Sequence, residues 1–404
     1  MSGTVSDSLA TAMQLHQAGK LAEAEQAYGV LWEQFPQDAN VAHFFGLLQF
    51  QLDRIPQALA LLQQSLEADP DNSHAWNNLG NMYKHLGRHE DALEAYLRAT
   101  STSEPAPPAW YNLALHYLRA RNIEAALHAL RETTRRASGF VLALQTLGFM
   151  YYRLGRTDDA LDVYKQWAAE APDDPTPRHM LAAASGAAVP PRADDRYIVK
   201  TFNGFADHFD EKLQRLDYRA PQLVAASLIQ HPLYQSNRAV VLDAGCGTGL
   251  CGPLLKSTAG TLVGVDLSPN MLELAAARKV YDQLHEGELT AFLQSHPGEF
   301  DIVVSADVLC YFGQLGAFAE AGLAALKPGG LLTFSVEALQ EQRAEEGYRM
   351  RLHGRYAHTL TYLQRIVAEA GFAAAQIDAA VLRQELGEPV QGYIVQARRP
   401  GAVQ

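Results

Sequence analysis

The 404-residue chain has few cysteines, little positive charge and no long apolar run, and each shortage excludes a class of protein. Its three cysteines, Cys246, Cys251 and Cys310, form no CxxC pair, which argues against a disulfide framework or a zinc ribbon and favours a reducing, cytoplasmic setting. Acidic residues (45 Asp and Glu) outnumber basic ones (33 Lys and Arg), for a net charge of −12. Both halves are acidic, so no nucleic acid and no anionic membrane is expected as a partner.

No run approaches the ~20 apolar residues that a membrane-spanning helix requires. The first residues, MSGTVSDSLATAMQ, lack the basic start and apolar core of a signal peptide. The chain does have the composition of a folded protein, with 48% hydrophobic and 19% charged residues. At about 150 residues per domain, its length predicts two or three domains.

The first half follows a period of 34 residues, the separation of Pro36 and Pro70. Such a period predicts one pair of antiparallel helices per repeat, which approach closely at small residues, with aromatic residues filling the groove made by the next pair. The fourth repeat departs from the pattern, because Arg121 stands at the turn glycine and Ser138 where proline is usual. Three columns carry the period: Ala12, Gly46, Gly80, Ala114 and Gly148; Ala24, Ala58, Ala92, Ala126 and Ala160; and Tyr28, Leu62, Tyr96, Leu130 and Tyr164.

The segment WNNLGNMYKHLGRHEDALEAYLRA (76–99) resembles the tetratricopeptide repeat (TPR), and the resemblance covers roughly residues 5–172. It implies a solenoid whose concave face holds a protein or peptide, closed by a capping helix in DPTPRHMLAAASG. An intramolecular spacer or a dimerisation surface is the alternative use, so the oligomeric state stays open. We expect the repeat domain over residues 1–185.

After a proline-containing linker, expected at residues 186–196, strand-like and helix-like segments alternate. RAVVLDAG, TLVGVDL, FDIVVSAD and GLLTFSVE predict parallel strands between helices, and FAAAQIDAAVLR with VQGYIVQARR predicts a closing antiparallel pair. The expected fold class is therefore α + α/β. An all-α TPR solenoid is followed by a Rossmann-like, doubly wound domain over residues 197–400.

The run VVLDAGCGTG (240–249) places glycines directly after the first strand, where the backbone can approach a ligand without a Cβ in the way. Asp243 suits a cationic group and would repel a pyrophosphate, and Asp266 is placed for a bidentate bond to ribose hydroxyls. Together with LKPGG (326–330), these residues resemble the class I S-adenosylmethionine-dependent methyltransferases over roughly residues 197–398. The resemblance implies methyltransferase activity with S-adenosylmethionine as cofactor and S-adenosylhomocysteine as product.

The resemblance also implies a cofactor site, position by position. Glu288 stands in GEL where the family commonly has GDL. The expected members are Asp243, Gly245, Cys246 and Gly247 beside the methionine and ribose, Asp266 on the ribose, Leu267 and Met271 near the adenine, Glu288 and Leu289 near the adenine amino group, and Ala306 and Asp307 beside the sulfonium.

The flanking segments FADHFDEKLQRLDYRAP, DVLCYFG, GRYAHTLTYLQ and LRQELGEPVQGYIV resemble predicted bacterial methyltransferases that carry a TPR region. This resemblance covers nearly the whole chain. It implies that a helix from Tyr197 to Leu213 folds over the cofactor as a lid; alternatively, its phenylalanine stripe packs on the sheet. The residues expected to touch the cofactor there are Phe202, Phe205, Tyr218 and Arg219.

His358 and Tyr311 are the candidate catalytic residues. The ordinary pKa of histidine, about 6.5, suits a general base at neutral pH, although His358 could equally pack the start of the helix capped by Thr359. Tyr311 binds the substrate or walls the pocket, and Arg383 is either a carboxylate anchor or a surface residue.

Three acidic or imidazole side chains, Asp207, His208 and Asp210, lie close together on the lid segment. We interpret them as a solvated helix face, because no further His or Cys cluster accompanies them, and therefore expect no metal.

Three functions remain open at this stage. The first is a methyltransferase whose repeats recruit a protein or peptide for N- or O-methylation. The second is a small-molecule methyltransferase whose repeats serve regulation or dimerisation. The third is a TPR adaptor that binds the cofactor without turnover.

Overall fold

A computed structural model describes residues 2–187, 189–229, 238–340, 345–385 and 387–401, and their side chains except those of residues 2–4 and Asp207. The chain forms two compact units, Met1–Ala171 and Pro172–Gln404. Within the described residues, no helix is both long and apolar enough to cross a membrane.

The first unit is built from paired helices, as the 34-residue period predicts. Each pair is joined by a turn with one residue at positive φ, and these residues follow the same period: Gly19, Asp53, Gly87, Arg121 and Gly155. The helices are α1 (Ser2–Gln17), α2 (Leu21–Gln34), α3 (Ala39–Gln51), α4 (Ile55–Ala68), α5 (Ser73–His85), α6 (His89–Thr100), α7 (Pro107–Arg119), α8 (Ile123–Arg136), α9 (Val141–Arg153) and α10 (Thr157–Glu170).

The columns of small and aromatic residues meet inside each pair. A Cβ placed on Gly80 would lie 2.5 Å from the ring of Tyr96, and one on Gly148 would lie 2.5 Å from the ring of Tyr164. These rings therefore contact the first helix of their own repeat, which differs from the expectation that they fill the groove of the next pair. Glycine is required at both positions because any side chain would displace the ring.

The helix expected to cap the repeats, α11 (Pro175–Ser185), lies in the second unit. Its His179 ring stacks on Tyr197 at 3.9 Å and shares a hydrogen bond of 2.8 Å with the Gly354 carbonyl. The first unit therefore ends at Ala171, whereas the sequence interpretation extended the repeat domain to residue 185.

The second unit continues with alternating helices and strands. Its helices are α12 (Asp195–Phe205), α13 (Phe209–Gln214), α14 (Ala220–Leu228), α15 (Gly252–Leu255), α16 (Pro269–Ala277), α17 (Leu289–Ser295), α18 (Gly316–Ala325) and α19 (Leu360–Ala370). Its strands are β1 (Ala239–Ala244), β2 (Ala259–Asp266), β3 (Gln283–Glu286), β4 (Phe300–Ser305), β5 (Leu326–Ala338), β6 (Tyr348–Met350), β7 (Tyr356–His358), β8 (Ala374–Glu385) and β9 (Glu388–Arg398).

The strands form one sheet in which β3, β2, β1, β4 and β5 are parallel neighbours, and β9 pairs antiparallel with both β5 and β8. This confirms the doubly wound fold and its closing antiparallel pair. The short strands β6 and β7, of which β7 pairs with the end of β5, were not predicted from the sequence.

Both faces of the sheet are covered. Leu242 belongs to a core shared with α18 and α19, whereas its neighbour Val241 belongs to a core shared with α14 and α15. The central strands are therefore apolar at successive positions, as in a parallel sheet between two helix layers. The strand order changes direction between β1 and β4, and the carboxyl ends there are where such folds bind ligands.

The turn at Arg121 offers a test of the repeat geometry. Its φ of 57° is unfavourable for a residue with a Cβ, so Arg121→Gly is expected to raise the free energy of unfolding by up to about 1 kcal/mol. Guanidinium unfolding followed by circular dichroism measures the change. As the reciprocal control, Gly155→Ala should lower stability by a similar amount, because φ at Gly155 is 69° and no atom crowds the new Cβ. A stabilised alanine variant would contradict this account of the turns.

Candidate functional site

The loop that follows β1 (residues 245–249, the glycine loop) is attached to the end of β2. The backbone N–H groups of Gly245 and Cys246 donate to the Val265 carbonyl at 2.8 and 2.9 Å. Gly245 and Gly247 have φ values of 78° and 54°. A Cβ on Gly245 would collide with Val308, whereas one on Gly247 would enter open space. The loop thus presents bare backbone, and space for a ligand remains in front of Gly247.

Two carboxylates accompany the glycine loop. Asp266, at the end of β2, accepts hydrogen bonds from Gly247 N (2.8 Å) and Ser268 N (2.9 Å), and burial raises its pKa. Asp243 is 1% exposed and accepts from the Tyr281 hydroxyl at 2.6 Å through Oδ2, while its buried Oδ1 has no partner among the described residues. Burial raises the pKa of Asp243 to about 7.

A cavity of about 280 Å³ opens beside this loop at the carboxyl ends of the strands. Most of the predicted site residues come together there. The predicted residues that line it are Phe202, Phe205, Tyr218, Gly245, Cys246, Gly247, Asp266, Leu267, Met271, Glu288, Leu289, Ala306, Asp307 and Tyr311.

Asp243 and Arg219 do not line the cavity. Asp243 is buried and lies two residues before Gly245, Cys246 and Gly247, which do line the cavity. Arg219 is exposed at the start of α14, and its backbone N–H donates to Leu382 O at 2.8 Å. The structure therefore does not bring Arg219 to the place where a cofactor contact was expected.

Glu288 reaches the cavity but is already engaged. It is the N-cap of α17, and its carboxylate accepts from Thr290 N at 3.0 Å and Ala291 N at 2.8 Å. The acid in GEL therefore has a structural role in holding the start of this helix.

The segment expected to form a lid (residues 195–214, the lid) is two helices, α12 and α13, joined by a 3₁₀ turn at Ala206–His208, rather than one helix. Phe202, Phe205 and Phe209 line the cavity, and Phe202 meets Tyr311 edge-on at 5.5 Å. The aromatic stripe thus forms a wall of the cavity.

Hydrogen bonds between polar side chains tether the lid to the glycine loop and to the two ends of α16. Thr248 Oγ1 donates to Asp210 at 2.6 Å, Arg278 also bonds to Asp210, and Ser268 Oγ donates to Asn203 at 2.6 Å. Asp210, expected on a solvated face, is 41% exposed and also bonds to Thr248 and Arg278. The side chain of Asp207 lies outside the described residues. Among the described residues, no group of three or more His, Cys, Asp or Glu could hold a metal ion.

Five charged side chains form an ion cluster at the cavity: Asp307, Arg355, Arg383 and Glu385, which line it, and Glu337, which does not. Arg383 donates to both oxygens of Asp307 (2.7 and 2.8 Å), to Glu385 (2.8 Å) and to Glu337. Arg355 donates to Glu337 at 2.7 Å and to both oxygens of Glu385. Burial alone would raise the pKa of Glu337, but Arg355 and Arg383 lower it to about 2.

This ion cluster changes the interpretation of Arg383. It is 3% exposed and saturated by three carboxylates, so it is neither a surface residue nor a free carboxylate anchor. Glu337 and Glu385 were missed in the sequence, where the only signal for Glu337 was a charge ending the apolar run of β5. The cluster joins β4, β5 and β8 and holds Asp307 at a φ of 58°.

His358, the candidate base, lies outside the cavity. It is fully buried at the end of β7, its ring stacks on Tyr362 at 5.7 Å, and Nε2 contacts the Gly313 carbonyl at 3.1 Å. Burial lowers its pKa to about 4. The alternative of a packed helix start therefore fits this position, and the role of general base does not.

Comparison with known proteins gives two matches to protein families. A tetratricopeptide repeat family matches residues 45–108 and 111–175, and a methyltransferase domain family matches residues 242–334. Both matches fall on the parts of the chain where the sequence resemblance placed them.

Individual relatives match parts of the second unit. Human methyltransferase-like protein 27 is 35% identical over 157 residues, which are 37% of this chain and 64% of that protein. The ubiquinone biosynthesis O-methyltransferase of Thiobacillus denitrificans is 32% identical over 101 residues, 24% of this chain and 43% of that enzyme. The chain thus spans less than two thirds of the length of these relatives.

A solved structure of a SAM-dependent methyltransferase from Thermotoga maritima, described as a possible histamine N-methyltransferase, is similar at 17% identity and a TM-score of 0.38. The similarity covers 50% of this chain and 99% of that one.

The burial of His358 predicts a pH-dependent contribution to stability. Because the folded protein lowers its pKa, the unfolded chain takes up the proton first, and stability is lost as the pH falls from about 6.5 toward 4. His358→Gln removes this contribution. Between pH 7.5 and pH 5, the free energy of unfolding of the variant should therefore gain about 2 kcal/mol relative to the wild type, as urea unfolding would measure.

The difference between variant and wild type removes the contributions of the other buried histidines to stability. Burial also lowers the pKa of His43 and His353 to about 4, but both residues are present in both proteins. An unchanged difference between the two proteins across this range would mean that His358 is not buried in the neutral form.

Proposed function

We propose that this chain, which joins tetratricopeptide repeats to a methyltransferase domain, binds S-adenosylmethionine and transfers its methyl group to a protein or peptide that the repeats recruit. The observation that carries the proposal is the convergence of the glycine loop and Asp266 on one cavity at the switch point of the sheet. This is the arrangement that an adenosyl ligand requires, with backbone on one side and a ribose-binding acid beside it.

The residues present fit that cofactor. Open space in front of Gly247 admits the ligand, and the Asp266 carboxylate is aligned by Gly247 N and Ser268 N to accept ribose hydroxyls. Leu267 and Met271 offer an apolar surface for the adenine, and Asp243, two residues before Gly245, has a buried Oδ1 without a partner among the described residues.

The bound cofactor would supply an electrophilic methyl group on a sulfonium. The work left to the protein is to place an acceptor in line with that group and to exclude water. Phe202, Phe205 and Phe209 of the lid form an apolar cover, and Tyr311 stands at the exit of β4 beside Asp307. We assign Tyr311 the role of an acceptor-binding residue.

Support for a protein or peptide acceptor, methylated on N or O, comes from the first unit. Its α9 exposes Leu142 (56%) and Phe149 (51%), seven residues apart on one helix face. Two large apolar side chains in one row are typical of a surface that binds another polypeptide.

A second candidate has a small molecule as acceptor, with the repeats used for regulation or dimerisation. The similarity to ubiquinone biosynthesis O-methyltransferases favours it. A third, a TPR adaptor that binds S-adenosylmethionine without turnover, is distinguished by the absence of any methylated product.

Asp266→Asn tests cofactor binding. Loss of the charge that accepts two ribose hydroxyls should weaken S-adenosylmethionine binding in titration calorimetry about 10- to 100-fold, the range of hydrogen bonds to a charged group. Glu273→Gln is the matched control, since it removes the same charge from an exposed position on α16 and should leave the affinity unchanged. Equal affinities for Asp266→Asn and the wild type would mean that the pocket is wrongly assigned.

Leu142→Ser with Phe149→Ser tests recruitment. Incubation of lysate with methyl-labelled S-adenosylmethionine should give about tenfold less label in protein, which corresponds to a combined loss of about 1.4 kcal/mol for the two apolar contacts. The affinity for S-adenosylmethionine should not change. Val30→Ser, which alters an apolar side chain with similar exposure (48%) on α2, is the control. Label found only among small molecules, at undiminished yield, would favour the second candidate.

A further inference from the structure

Tyr281 occupies a space that three glycines leave for it. A Cβ on Gly249 would lie 2.9 Å from its ring, one on Gly252 3.0 Å, and one on Gly264 3.1 Å. These glycines belong to the glycine loop, the start of α15 and the middle of β2, so three separate segments pack around one ring. A ring that excludes side chains from three segments has a fixed position.

The fixed ring aims its hydroxyl at Asp243. The hydroxyl donates to Asp243 Oδ2 at 2.6 Å, and Oδ1 is buried without a partner among the described residues. Asp266 also faces Asp243 as a like charge, and the buried thiols of Cys246 and Cys251 lie nearby with their pKa values raised by burial. The Tyr281 hydroxyl is therefore the group in this shell that stabilises the ionised carboxylate.

The carboxylate is close in sequence to the cavity lining. Gly245, Cys246 and Gly247 line the cavity, and Asp243, which does not, lies two residues before the first of them. Where water is excluded, a negative charge acts strongly over a short distance. A ligand with a cationic group gains from this charge only while Asp243 is ionised.

Resting on the proposed function, we propose that Tyr281 is a positioning residue that holds the Asp243 carboxylate behind the glycine loop as the counter-charge for the cationic cofactor. Tyr281 does not line the cavity, and it acts through Asp243. The proposal adds a residue to the site that no motif in the sequence indicates.

The arrangement makes binding depend on pH. Burial raises the pKa of Asp243 to about 7, and the hydrogen bond from Tyr281 opposes that rise. Below pH 7 the carboxyl is protonated and neutral, so a cationic ligand should bind more tightly as the pH rises, with release of up to one proton per ligand. Without the hydroxyl, the pKa of Asp243 rises further and the same gain is reached only at higher pH.

Titration calorimetry of S-adenosylmethionine into full-length Tyr281→Phe and wild type, from pH 6 to pH 8.5, tests the proposal. The wild type should bind about tenfold more tightly at pH 8 than at pH 6, as expected for one group ionising near pH 7. If removal of the hydroxyl raises the pKa of Asp243 by about one unit, Tyr281→Phe should bind the cofactor about fivefold more weakly than the wild type at pH 7. At pH 8.5 the two proteins should bind it almost equally. Buffers with different ionisation enthalpies count the protons released.

Two further variants separate positioning from a structural role. Asp243→Asn reports the pH dependence of the ligand alone, and adding Tyr281→Phe to it should cause no further loss of affinity. The phenylalanine keeps the ring in its glycine-lined space, and thermal melting checks that the variant is folded. Tyr348→Phe, which removes a hydroxyl outside the cavity in the same unit, should bind like the wild type.

The outcomes distinguish this inference from the proposed function. Weaker binding by Tyr281→Phe that is equal at every pH, or that persists in the Asp243→Asn background, would overturn the role of Tyr281 while leaving the cofactor site intact. A wild type that binds no S-adenosylmethionine at any pH would instead overturn the proposed function, and this inference with it.

Discussion

Close contact between a residue without a side chain and a large side chain is the interaction on which both units depend. In the first unit, Gly80 and Gly148 admit the rings of Tyr96 and Tyr164, and this contact brings the helices of these two pairs close together. In the second unit, Gly245 admits Val308 of the β4 exit. The loop is thereby held against the neighbouring strand, and its bare backbone faces the cavity. The constraint is steric in both units, but it produces a packing surface in one and a binding surface in the other.

The sequence predicted correctly those features that depend on patterns within short segments of the chain. The 34-residue period depends on spacing alone, and the confirmed helix pairs follow from it. The doubly wound fold follows from alternating strands and helices. The location of Asp266 at the cavity follows from its place at the end of a strand, whereas its bond to a ribose stays a prediction. The carboxyl ends of β1, β2 and β4 meet at one edge in any sheet of this order, so residues that end these strands could be expected together before the structure was known.

The features that escaped prediction depend on contacts between distant segments. Arg383 bonds to Asp307 across 76 residues, and β8, which carries Arg383, pairs with β9 rather than with the strand that precedes Asp307. His358 is buried because it ends β7, a short strand that lies between β5 and β6. Neither β6 nor β7 has a distinctive sequence. Buried charge adds a second reason: a carboxylate such as Glu337 is tolerated only with partners, and those partners came from β8 and the turn before β7.

The tethers of the lid have a consequence for access to the cavity. Asp210 bonds to Thr248 of the glycine loop, and Asn203 bonds to Ser268 at the start of α16, so the cover is attached to segments beside the cavity. The cover cannot move away from these segments without breaking the two hydrogen bonds. Asp210 and Asn203 do not line the cavity, so opening of the cavity depends partly on residues outside its lining.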